Sequence, residues 1–176
     1  MLRAQAVAEY FLWLTRDQDE QISNLKLQKL LYYAQGYYLA NSGSPLFDAP
    51  IHAWDHGPVV KDIYDQYKQY GRGGIPAPPY INERRFREAE KKIIQWVFVT
   101  FGKFSGTQLR NMTHNEPLWR NAKKNEVMQP VQLREYFLTR ADVEPVIVFT
   151  QRKSWKEMTE ELFVKHRNLW ERLAQV

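Results

Sequence analysis

The hydrophobic and polar positions along the chain predict a mainly helical protein built around one central helix. In the stretch 24–40, Leu27, Leu30, Leu31, Ala34, Tyr37 and Tyr38 fall on one face at helical spacing. Leu25, Tyr32 and Leu39 recur every seven residues on the opposite side. A helix that is apolar on two sides is covered on two sides. Gly36 sits within the second face. Glycine costs about 1 kcal/mol against alanine inside a helix, so close approach of another segment is the expected reason for it. The turn 54–58 is the segment proposed to come close. Ser23 or Asn24 can cap the start. Asn41, Ser42 and Gly43, with Pro45 beyond, can stop the helix.

The pattern before and after this helix is less uniform. Leu2 to Thr15 reads as a first helix, with Val7, Tyr10, Phe11 and Leu14 on one face. Leu46-Phe47 and Ile51 to Trp54 are too short for helices and lie between Pro and Gly. They predict a small hairpin or an extended crossing. The stretch 55–58 reads as a turn, with Pro58 at the first position of a helix whose buried face holds Val60, Ile63, Tyr64 and Tyr67. Residues 71–79 hold three glycines and three prolines and read as a mobile loop. Glu83 to Thr100 predicts a helix, although the β-branched and aromatic run 93–99 leaves a strand open.

Ser105 or Thr107 can cap a short helix through Met112, and 113–117 reads as a turn. Pro117 and Pro130 each open a further helix, the second carrying Leu133, Tyr136 and Phe137. Residues 141–150 look extended. The last 22 or so form an amphipathic helix striped by Trp155, Met158, Leu162, Leu169, Trp170 and Leu173, which closes the core or docks in a partner's groove. The expected organisation is a helical domain over 1–140 with an extension over 141–176.

Composition narrows the function classes. The 176-residue chain can bury a sizeable core, and 44% hydrophobic content argues against general disorder. It has no cysteine, which excludes disulfides and thiolate metal sites and is compatible with a reducing cytoplasm. No apolar run is long enough to span a bilayer, and no signal peptide is expected at the start. The formal charge of +5 fits nucleic acid or an acidic protein, and equally many ordinary soluble proteins.

Asp55 and His56 form the most pointed polar pair and could act as acid and base. The bland alternative is a capped helix start with Trp54 in the core. Neither a Gly-x-Ser-x-Gly motif nor a cysteine nucleophile accompanies the pair. His114 and Glu116 form a second polar cluster, without spacing that would fix a metal. Gly71 to Gly74 lacks the Lys-Ser/Thr ending of a phosphate-binding loop. The basic clusters at 84–92 and 120–124 are interrupted by Glu83, Glu88 and Glu90 or short. They read as solvated faces, with an acidic protein or nucleic acid as alternatives. The tyrosines of the central helix read as core. Lys26 and Lys29 read as its solvated points.

With these residues in place, the sequence resembles the Panacea, or SocA-like antitoxin, domain of bacterial and phage-borne toxin–antitoxin operons. The likeness is carried by Leu25 to Gly36, by Pro45-Leu46-Phe47, and by Ala53 to Val60 with Ile63-Tyr64 beyond. A weaker second block comprises Leu109, Thr113-His114, Glu116-Pro117, Trp119 and Ala122. The resemblance implies a non-enzymatic cytoplasmic antitoxin that neutralises a cognate toxin, often a translation-blocking one, by direct binding. In at least one branch of the family the domain is instead an adaptor to the ClpXP protease. The resemblance carries no catalytic residues, no cofactor and no metal.

Under that reading the partner-binding residues are Trp54, Asp55, His56 and Arg72, with Trp155 and Trp170 on the last helix. Two rivals stand beside it. A DNA-binding regulator of its own operon would use the short helices at 105–124, although nucleic acid is the less favoured partner. A hydrolase would need Asp55, His56 and His114 to converge. A homo-oligomer is compatible with the aromatic content, and no membrane partner is expected.

Overall fold

A computed structural model of the chain describes residues 1–18 and 21–140. Seven helices and one hairpin follow in order: α1 (Ala4–Trp13), α2 (Asn24–Ser42), β1 (Ile51–Trp54), β2 (Gly57–Val60), α3 (Lys61–Tyr67), α4 (Glu88–Phe101), α5 (Gly106–Asn115), α6 (Pro117–Arg120) and α7 (Pro130–Leu138). The mainly helical class with a small hairpin is the one the sequence predicts. The expected extended stretch 141–150 and the final amphipathic helix lie outside the described residues.

Helix α2 is the axis of the domain. Ser23 caps it by accepting from the Lys26 N–H, and Gly43 ends it in the left-handed conformation, φ 72°. Along its length only Leu25, Asn41 and Ser42 escape burial. It is therefore covered on all sides, not two, by α1, α3, α4, α5, α7 and β2. A helix so enclosed has no solvated face, and the reading of Lys26 and Lys29 as exposed points is wrong: they are 6% and 0% exposed.

Gly36 does mark a close approach, but the neighbour is α7 and not the turn at 54–58. A Cβ at this position would collide with the Phe137 ring. Phe137 thereby reaches Tyr32 and Tyr37 in edge-to-face geometry, with centroids 5.4 and 4.8 Å apart. On the opposite wall Tyr33 stacks on Phe101 at 4.1 Å, and Trp96 meets Tyr37 edge-on at 4.7 Å. The aromatic stripe of α2 is core, as expected.

Helix α4 resolves the ambiguous 83–100 stretch. Its buried residues, Glu90, Ile93, Ile94, Trp96, Val97, Thr100 and Phe101, recur at three and four, the helical period. The segment opens with a single 3-10 turn at Glu83–Arg85, so the α-helix starts five residues later than the pattern suggests. Glu90 turns back to accept the Arg87 N–H at 2.7 Å and fixes that start.

Two further boundaries differ from expectation. Pro58 is not a helix-opening residue but lies in β2, opposite Ala53. Helix α3 begins three residues later, at Lys61. Proline is tolerated here because β2 pairs with a strand on one side only. Residues 113–115 are not a turn but the last residues of α5, and Glu116 is the junction to α6. Ser105, rather than Thr107, caps α5 by accepting from Gln108.

Gly36→Ala tests the α2–α7 contact. In an unobstructed helix this change adds up to about 1 kcal/mol of stability. Here it is expected to cost about 1–3 kcal/mol through overpacking, measured by denaturant unfolding. In a Phe137→Ala background the same substitution is expected to be near neutral or stabilising.

Candidate functional site

The hairpin and its two-residue turn, Asp55-His56, sit over the first half of α2. Strand β1 is held on one side by β2, in the register Ile51–Val60 to Trp54–Gly57. On the other side it is held by the backbone of 125–128, through Ala53 N–H to Glu126, Asn125 N–H to Ala53, and Met128 N–H to Ile51. Strand β2 has no second strand beside it. It is wholly buried, so its outward backbone groups need partners.

Helix α2 supplies them. The Val60 N–H donates to Gln28 Oε1 at 2.9 Å, and Lys29 Nζ donates to the Pro58 carbonyl at 2.9 Å. The Gln28 amide in turn donates to Asn24, whose own amide donates to the Tyr64 carbonyl. Gly57 has φ 92°, and a Cβ there would stand 2.7 Å from both Lys29 Nζ and Thr113 Oγ1. Glycine is thus required twice, by conformation and by space.

Lys29 is enclosed without a carboxylate among the described residues. Burial, with the positive charge of Arg110 adding to it, pulls its pKa down to about 7. His114, on α5, stacks flat on Trp119 with centroids 3.9 Å apart. Its pKa is also lowered, chiefly by burial and then by Arg110, Lys29 and His56, while a hydrogen bond with the Asp55 backbone opposes the shift. Trp119 completes the clasp on the turn, its indole N–H donating to the Trp54 carbonyl at 3.0 Å.

A groove of about 920 Å³ opens beside the turn. Trp54, Asp55 and His56 form one edge, with Tyr64 meeting Trp54 edge-to-face at 5.1 Å. The start of α2, the start of α5 with Arg110, and Gly71-Arg72 form the rest. Arg72 is placed there by its loop. Ile75 N–H donates to Ile22 at 2.9 Å, Ser23 and Gly74 form a bridge, and Ile75 is buried. Four of the six residues singled out from the sequence, Trp54, Asp55, His56 and Arg72, therefore line one groove. Trp155 and Trp170 lie outside the described residues.

Asp55, His56 and His114 lie close together, but among the described residues the Asp55 carboxylate makes no hydrogen bond to either imidazole. The Asp55 carboxylate is exposed and pairs with Lys124 at 2.8 Å, and His114 meets Asp55 through the backbone. Asp55 does not cap a helix, and Trp54 is half-buried and not a core residue. Glu116 is buried under α2. It accepts from Tyr32 at 2.5 Å, from Tyr33 at 3.1 Å and from Arg140 at 2.7 Å. Burial raises its pKa, against the pull of Arg140 and the two phenols. Among the described residues no group of His, Asp and Glu could hold a metal. No described helix is long and apolar enough to cross a membrane.

The part of the chain that builds this arrangement is also the part that known proteins share. The family model described as "Antitoxin SocA-like, Panacea domain" matches residues 27–120, more than half of the chain. The chain belongs to the SocA-like Panacea family. The match takes in Gln28, Lys29, the hairpin, Arg72 and Arg110. The chain is also 33% identical over 127 residues to Antitoxin SocA of Caulobacter vibrioides (strain NA1000 / CB15N), an alignment covering 63% of this chain and 64% of that protein. No solved structure matches. Within the Panacea domain, Gln28, Lys29 and Arg110 are among the site residues that the sequence reading missed. For Gln28 and Lys29 the available signal was their place between Leu27 and Leu30 on a helix apolar on two faces.

The buried Lys29 predicts a pH dependence. Its folded pKa of about 7 lies below the ordinary 10.5, so the unfolded chain binds the extra proton between those values. The penalty is full below about pH 7 and fades as pH rises, so stability rises with pH by roughly 1 kcal/mol per unit. Above about pH 10 the raised pKa values of Tyr10, Tyr32 and Tyr33 act in the opposite sense. Denaturant unfolding between about pH 7 and 9.5 is expected to show the rise in the wild type and a flatter profile in Lys29→Met.

Proposed function

We propose that this chain is the antitoxin of a bacterial or phage-borne toxin–antitoxin pair and neutralises its cognate toxin by direct protein–protein contact, without catalysis. The observation that carries the reading is the groove beside the Trp54–Gly57 turn. It lies mostly within the family-matched residues and is lined by Trp54, Tyr64, Asp55, His56 and Arg72. Half-buried aromatic side chains beside charged ones are the usual anchors of a protein interface. The two-sided clasp on the turn, from Lys29 below and Trp119 beside it, presents these groups on a rigid support.

Direct masking is favoured over an adaptor role because the groove belongs to the folded domain itself. The extension 141–176, with Trp155 and Trp170, is proposed to adjust which toxin is accepted. A cytoplasmic location fits a partner that acts on translation.

Co-expression with the protein encoded by the neighbouring open reading frame is the test. Growth arrest caused by that protein alone is expected to be relieved, and the two chains are expected to elute together on gel filtration. Rescue is expected to persist in a host lacking ClpXP, whereas rescue that needs ClpXP would assign the adaptor route. Absence of both rescue and complex would overturn the antitoxin reading. Trp54→Ala is expected to weaken the complex at least about tenfold with the fold intact.

A further inference from the structure

Resting on the toxin-binding reading, we infer that the groove takes an acidic segment of the toxin, with carboxylates set against Arg72 and Arg110 and an apolar side chain against Trp54 and Tyr64. The charges at the groove argue this directly. Asp55 is already neutralised by Lys124 at 2.8 Å, and Lys68 by Asp65 at 2.9 Å. Arg72 is exposed and has no carboxylate partner among the described residues. Arg110 donates from Nε and Nη2 to the neutral amide oxygen of Asn111, at 3.2 and 2.8 Å, and likewise has no carboxylate among the described residues.

Two guanidinium groups free of acidic partners thus face one concavity, where a planar fork suits a carboxylate. Beneath them lies Lys29, buried and equally without a carboxylate among the described residues. The local field is positive, and nothing acidic in the groove remains to cancel it. The far basic cluster differs. Lys91 pairs with Glu88 at 2.8 Å, and burial, with Glu83 and Glu88 adding to it, raises the pKa of nearby Tyr10. The groove is therefore the more complementary surface for an acidic partner.

The edge-to-face pair of Trp54 and Tyr64 supplies the apolar half of the site. A short segment alternating acidic and apolar side chains would meet both walls at once. A nucleic acid would offer negative charge too, but Arg72 and Arg110 are the groove's cations free of an acidic partner among the described residues, too few for a phosphate backbone.

The test uses the full chain and the protein encoded by the neighbouring open reading frame. Arg72→Glu, Arg110→Glu and the double variant are compared with Arg84→Glu/Arg85→Glu, a reversal of equal charge outside the groove. Circular dichroism and unfolding midpoints confirm that each folds. The double groove variant is expected to bind at least about tenfold more weakly and to lose rescue, while the control binds within about twofold of wild type. Wild-type affinity is expected to fall with added salt, and the double variant to show a smaller salt dependence. Binding by the double variant within about twofold of wild type would overturn the acidic-segment inference and leave the antitoxin reading standing. Failure of the wild type itself to bind would remove both. Should the same reversals abolish a shift of the operon's promoter DNA and leave the protein complex intact, the groove would be a nucleic-acid site and the inference would fall.

Discussion

The structure depends on one constraint: the backbone of two non-helical segments, and one carbonyl of α3, are satisfied by polar side chains buried on a single helix. Gln35 Oε1 accepts from the Leu46 and Phe47 amides, and its Nε2 donates to the Phe47 carbonyl. Gln28 and Lys29 do the same for Val60 and Pro58 in β2, and Asn24 for Tyr64 at the next helix. A buried backbone group left without a partner costs about 1–3 kcal/mol. These side chains therefore decide where each irregular segment sits. Removing one leaves a donor or acceptor stranded, which is worse than never having made the bond.

From this follows the position of the groove. The hairpin is too short to be stable alone, and it is fixed because α2 bonds its outer edge while 125–128 bonds its inner one. The turn at Asp55-His56 thus becomes a rigid projection, with Trp54 and Tyr64 beside it and Arg110 rising from α5. At the other end of α5, Glu116 ties Tyr32 and Tyr33 of α2 to Arg140 beyond α7. Breaking a buried pair of this kind leaves an uncompensated charge. Its effect is to lock α7 across the Gly36 notch.

The helical frame was legible because α1, α2, α4 and α7 carry apolar residues at three-and-four spacing, and because Ser23, Ser105, Pro117 and Pro130 mark the starts of α2, α5, α6 and α7. Part of the site was legible as composition, since Trp54, Asp55, His56 and Arg72 stand in turns and loops. What could not be read was how the loops are held. Lys29 looked solvated because lysine usually is, and the acceptor that buries it is a carbonyl, which leaves no signature in side-chain pattern. Pro58 looked like a helix start because proline serves equally at an unpaired strand edge. Gly36 announced a contact without naming its partner, since Phe137 lies about a hundred residues further along.

The claim that side chains of α2 hold these backbones is tested most directly at three amides: Leu46, Phe47 and Val60. Each donates to a glutamine side chain. Native-state hydrogen exchange on the full chain is expected to find all three protected nearly as well as the interior of α2. In Gln28→Ala, Val60 is expected to lose that protection while Leu46 and Phe47 keep theirs. Exchange of these amides at the rate of exposed loops in the wild type would contradict the account, as would unchanged protection of Val60 in the variant.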